Sequence, residues 1–98
     1  PDVLPEALET TKAITDEYNR AYLLQTLATK LPEILLPDIL QAVKALSDEY
    51  YRACVLSFLT NNFPHIFPQA LEAAKEITNE YNRAKVLSAL ADKFSEVF

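Results

Sequence analysis

The pattern Glu-Tyr-x-Arg-Ala-x-x-Leu-x-x-Leu occurs three times, at 17–27, 49–59 and 80–90. No other feature of the chain constrains its fold as much. A unit of this size cannot bury its apolar positions alone, and self-similarity at a period of about 20–50 residues is the mark of stacked repeats. The flanking residues keep the same register: Pro5, Pro37 and Pro68; Leu8, Leu40 and Leu71; Lys12, Lys44 and Lys75. Tyr18, Tyr50 and Tyr81 stand 32 and then 31 residues apart. The units are 4–35, 36–66 and 67–97, within a single domain spanning 1–98.

The spacing predicts two helices per unit. A first helix covers 5–14, 37–46 and 68–77, opened by a proline whose missing N–H is not needed at a helix start. Plotted on a wheel, Leu4, Ala7, Leu8, Thr11 and Ile14 share one face and Glu6, Glu9 and Ala13 the other, so this helix is buried on one side. A second helix covers 16–30, 48–62 and 79–93, with Thr15, Ser47 and Thr78 as its expected caps and Glu17, Glu49 and Glu80 in its first turn, where carboxylates suit the dipole. In the first copy Ala21, Leu23, Leu24, Leu27, Ala28 and Leu31 cover nearly half its circumference. Such a width implies contact with both its own first helix and the next unit. The connectors 31–37 and 63–68 each hold two prolines and are otherwise largely apolar, and are expected to pack instead of swinging.

Composition removes several function classes. There is no Gly, which disfavours all-β hairpins and phosphate-cradling loops, both of which rely on positive φ. The net charge of -5 repels phosphate backbones and anionic lipid, arguing against nucleic-acid and membrane partners. No apolar run approaches the ~20 residues of a membrane span. Cys54 is the lone cysteine, so no intrachain disulfide forms and a cytoplasmic setting is the expectation. The first residue is Pro1 and not Met, which points to an excised piece of a longer array or an engineered repeat.

The alternation of a short helix with a wide-faced one resembles tetratricopeptide-like repeats across essentially the whole chain. The small Ala21, Ala53 and Ala84 early in the second helix carry the resemblance, with the closing Pro32 and Pro64; the third copy has Ser95 there. The stretch ALEAAKEITNEYNRAKVLSALADKF is similar to divergent arrays of bacterial, notably cyanobacterial, multidomain signalling proteins. The resemblance implies an all-α fold: an α-solenoid of three helix hairpins, six main helices in a right-handed superhelix. It also implies a scaffold or sensor arm, not an enzyme.

No catalytic constellation is readable in the residues. His65 is the single histidine, in a connector, and Cys54 has no predicted cationic neighbour to lower its pKa. No cofactor or metal is expected. Glu6, Glu9, Asp38, Glu72 and Glu76 read as a solvated face. Lys12, Lys44 and Lys75 suit the end of the first helix by the dipole, and are also groove candidates for binding a carboxylate. Arg20, Arg52 and Arg83 share a stripe with leucines and need partners; Glu17, Glu49 and Glu80, one turn earlier, suggest an ion-paired ladder between units. The other reading is a pocket lined by Arg and Tyr.

Tyr51, Cys54, Val55 and Phe58 fall in one sector of the middle second helix, where the neighbours have Asn19, Tyr22 and Thr26, or Asn82, Lys85 and Ala89. A local apolar patch is expected there, since exposed clusters of this kind mark interaction sites. The alternative is that a connector covers Phe58 as core. The ending Phe94, Val97, Phe98 lacks the polar cap of a finished array and suggests self-association through uncapped ends. The function expected is protein–protein interaction with a protein or peptide partner; the alternative is a structural spacer that binds nothing.

Overall fold

The computed structural model describes residues 3–95, apart from the Phe94 and Ser95 side chains. The apolar ending thus lies outside the description: the Phe94 side chain, Val97 and Phe98. The described residues form α1 (Val3–Lys12), α2 (Glu17–Ala28), α3 (Leu36–Lys44), α4 (Glu49–Leu59), α5 (Phe67–Lys75) and α6 (Glu80–Ser95), with 3₁₀ turns at Glu33–Leu35 and Pro64–Ile66 and no strand. The fold is all-helical. Pro37 and Pro68 sit at the start of α3 and α5, where no intrahelical donor is lost. The connectors pack, as their apolar content predicts: Leu31, Leu36, Phe63 and Ile66 are buried, and Ile34 is the exception at 83% exposed.

α4 holds the assembly together, packing against α2, α3, α5 and α6. Its Val55 and Leu59 join a large core that includes Leu8, Leu24, Ile39, Val43 and Ile66. Ala53 faces a second core of Ala70, Ala74, Ile77, Val86 and Leu90. Each fully buried leucine contributes about 2 kcal/mol relative to its exposed state. Where α3 carries Ile39, Ala42 and Val43, α5 carries Ala70, Ala73 and Ala74, and the smaller side chains fill that second core.

The helix caps lie one residue later than the sequence predicts. Asp16 accepts from the Asn19 N–H at 3.0 Å, Asp48 from Tyr50 and Tyr51 at 2.8 and 3.1 Å, and Asn79 from Asn82 at 2.9 Å. Asp16 and Asp48 have the extended backbone that suits a cap. Ser47 and Thr78 are thereby left for another role. The Glu17 carboxylate, from the unit before, accepts from the Ser47 N–H at 2.7 Å, from the Ser47 hydroxyl, and from the Asp48 N–H at 2.9 Å. Glu49 repeats the contact one unit on, accepting from the Thr78 N–H and hydroxyl, each at 3.0 Å.

The arginines act within units. Arg20, Arg52 and Arg83 each donate through Nη1 to the carbonyl six residues earlier, Ile14, Leu46 and Ile77, at 3.0, 2.6 and 2.8 Å. They thus tie the start of each second helix to the loop before it. An ion pair within hydrogen-bond reach forms only in the first copy, Arg20 with Glu17 at 3.2 Å. The expected Glu–Arg ladder between units is therefore corrected: Glu17 and Glu49 cross between units and the arginines do not, because the next loop offers each carboxylate at least one backbone N–H together with a hydroxyl.

These bonds hold the Glu17 carboxyl at about 2, down from an ordinary 4.5, the Ser47 hydroxyl and N–H contributing most. Glu49 is lowered too, first by the Thr78 N–H. A carboxyl depressed on folding adds stability that is complete above its unfolded pKa and is lost as pH falls through the folded one. For Glu17 that window runs from about 4.5 down to about 2. Glu17→Gln with Glu49→Gln is expected to lower the melting temperature at neutral pH and to flatten its fall across that window. Equal acid slopes for the variant and the parent chain would refute the assignment.

Candidate functional site

All five tyrosines of the chain, Tyr18, Tyr22, Tyr50, Tyr51 and Tyr81, lie on the second helices α2, α4 and α6. The cause is the repeat itself: Tyr18, Tyr50 and Tyr81 follow the recurring glutamate in each copy, and Tyr22 lies one turn beyond Tyr18 on the same stripe. Tyr18, Tyr22 and Tyr81 are 62%, 61% and 73% exposed. The Tyr51 ring meets Tyr18 edge-on at 6.1 Å and Tyr50 at 6.1 Å. Tyr18, Tyr22, Gln25, Tyr50, Tyr51 and Cys54 surround a furrow of about 210 Å³. It adjoins a depression of about 230 Å³ that shares Gln25, Tyr50 and Cys54 and extends over Phe58 to Lys85 and Lys93.

The residues of the expected patch differ in their surroundings, and Tyr51 and Phe58 pack in part against the large core. Tyr51, Cys54 and Phe58 are half-buried, and Cys54 and Phe58 line the depression. Val55 does not belong to it, being fully buried in the large core. A helix covered on two sides leaves a narrower stripe to solvent than a wheel drawn for one side allows. The sequence reading missed Tyr18, Tyr22 and Tyr50 as lining residues. The signal for Tyr18 and Tyr50 is the Glu-Tyr pair of each repeat; Tyr22 follows Ala21 and has Cys54 and Lys85 as its counterparts, so the repeat carries no signal for it.

The lysine row faces other grooves. Lys44 and Arg52 line one of about 460 Å³, with Leu40, Val43 and Leu56 beneath and Glu72 and Glu76 opposite. Lys12 and Arg20 line a smaller one, about 230 Å³, in the equivalent place one unit earlier. Lys75 lines neither. Lys12 pairs with Glu9 at 3.1 Å and Lys75 with Glu72 at 3.9 Å, both exposed pairs that contribute little to stability. Lys44 has Gln41 at the corresponding position and makes no ion pair among the described residues. In these four grooves arginine and tyrosine line different ones. The Arg20 Nε is buried without a hydrogen-bond partner, although both terminal nitrogens are engaged.

Compared with protein-family models, with curated proteins and with solved structures, the chain matches none. No helix among the described residues is long and apolar enough to cross a membrane.

His65 is exposed on the turn Pro64–Ile66, its ring 6.2 Å edge-on from the buried Phe63. Among the described residues no three His, Cys, Asp or Glu side chains come together as metal ligands would. Burial pushes the Cys54 thiol above its ordinary value, outweighing the opposing pull of Tyr50 and Lys85. Burial also raises Tyr50, while its hydroxyl holds the Lys85 ammonium up. A raised thiol pKa means less thiolate at neutral pH, and the thiolate is the nucleophile. Alkylation of Cys54 by iodoacetamide at pH near 7 is thus expected to run slower than that of a free cysteine. A rate equal to or above the free thiol would show an activated cysteine and contradict this.

Proposed function

We propose that the chain is a non-catalytic protein-interaction module that binds a partner segment in the tyrosine-lined furrow of its second helices. The observation that carries this reading is the gathering of Tyr18, Tyr22, Tyr50 and Tyr51 about one concavity, two of them more than half exposed. Tyrosine presents a large, rigid, amphipathic area at low entropic cost and is enriched at the energetic centres of interfaces. A partner that fits brings apolar anchors for the furrow and its Phe58 extension, and a carboxylate towards Lys85 and Lys93, which stand at its α6 side. On this reading the three units are a short α-solenoid, tetratricopeptide-like and right-handed, acting as a scaffold within a larger cytoplasmic protein.

The test uses the immobilised chain as bait for proteins of its source cells, alongside a Tyr18→Asp, Tyr22→Asp variant. Both positions are exposed, so helicity and melting temperature are expected to hold while a partner retained by the parent chain is lost by at least tenfold, the size of effect a hot-spot pair carries, about 1.4 kcal/mol or more. Retention of the same partner by both would move binding off the furrow. Retention of nothing by either supports the spacer.

A further inference from the structure

The two end faces of the stack are complementary halves of the contact that already joins its units. On α6, Glu80 occupies the position of Glu17 and Glu49, the two carboxylates that reach the next unit's loop. Glu80 itself is exposed and bonded to no such loop. Along the same stripe, Ala84 is exposed where Ala21 and Ala53 are buried, and Ala91 is exposed where Ala28 and Thr60 are buried. These are the positions that a following unit covers in the first two copies.

The opposite end shows the reciprocal pattern. Thr15 corresponds to Ser47 and Thr78, whose hydroxyl and N–H donate to the preceding unit's glutamate. Around it, Ile14 is half-buried where Leu46 and Ile77 are buried, Ala7 is half-buried where Ile39 and Ala70 are buried, and Leu23 is half-buried where Val55 and Val86 are buried. Lys30 is exposed where its counterparts bond backwards: Asn62 donates to the Ala28 carbonyl at 3.1 Å and Lys93 to the Ser57 carbonyl at 2.7 Å.

We infer that the α6 face of one molecule docks on the α1–α2 face of a second copy, head to tail, with the Glu80 carboxylate accepting from the Thr15 N–H and hydroxyl. The occupant is a second copy because each end supplies what the other lacks: the carboxylate and small-residue stripe at one, the donor pair, half-exposed Ile14 and Leu23, and Lys30 at the other. The contact is heterologous, so it builds rings or open filaments and does not stop at a two-fold dimer. It leaves the tyrosine furrow free, and it stands or falls independently of the partner proposed there.

Two exposed positions supply the test. Ala84→Glu places a charge on the α6 stripe, and Thr15→Glu sets a carboxylate against Glu80. Circular dichroism and melting of each variant are expected to match the parent chain. In sedimentation velocity the 98-residue chain is expected to sediment faster as its concentration rises, through species larger than a dimer. Each variant alone is expected to stay at the monomer value. An equimolar mixture of the two, which retains one intact contact, is expected to stop at a dimer. A parent chain that remains monomeric would overturn the proposal. Association that survives in either variant, or a mixture that stays monomeric, would overturn it as well.

Discussion

A single carboxylate contact between neighbouring units sets the geometry on which the other features depend. Glu17 and Glu49 each project from the first turn of a second helix and reach the loop roughly thirty residues further on, where backbone N–H groups and a hydroxyl are free to donate. Those donors are free only because Asp48 and Asn79, one residue later, take over the capping of the next helix. Two adjacent polar residues thus divide two tasks: the first receives the neighbouring unit and the second starts the helix. The arginine of the motif fixes the same loop from behind by donating to its carbonyl. With both sides of the loop bonded, the turn between helices is held without glycine, and the chain contains none.

Burial follows from how many helices surround each helix more than from residue type. The middle helix α4 is covered by α2 on one side and α6 on the other, with α3 and α5 beneath. Its remaining exposed stripe is narrow, and Tyr50, Cys54 and Phe58 fall along it or at its edge. Because the motif places a tyrosine after each glutamate, the tyrosines recur on the same helices whose glutamates reach the next unit. In the first two copies the glutamate of the pair bonds the next unit, while its tyrosine is largely exposed in the first and third copies and half-buried in the second.

Much of this was legible in the sequence. The period, the two helices per unit, the packed connectors and the wide buried face of the second helix all follow from spacing, because each depends on residues within a few turns of one another. The exchange of roles between Thr15 and Asp16, or Ser47 and Asp48, was not legible, since both residue types cap helices well and only the loop conformation decides between them. Nor was the partner of Glu17: a carboxylate one turn from an arginine reads as a local pair, whereas its strongest donors lie in the next unit. Val55 was misplaced for a related reason, because a helical wheel knows nothing of how many neighbours a helix has. Recurrence of the motif's tyrosine does not fix its exposure: Tyr18 and Tyr81 are largely exposed, whereas Tyr50 is half-buried.

The most direct test of the account is an NMR acid titration of the backbone amides of Ser47 and Asp48. If Glu17 accepts from both, their proton shifts should move together with a midpoint near the value of about 2 held by that carboxyl, well below its ordinary 4.5. The Thr78 amide should follow Glu49 downwards in the same sense, and all three movements should vanish when the glutamate concerned is replaced by glutamine. Amides of Ser47 and Asp48 that titrate near 4.5, or that do not respond to Glu17 at all, would show that the carboxylate does not join the units.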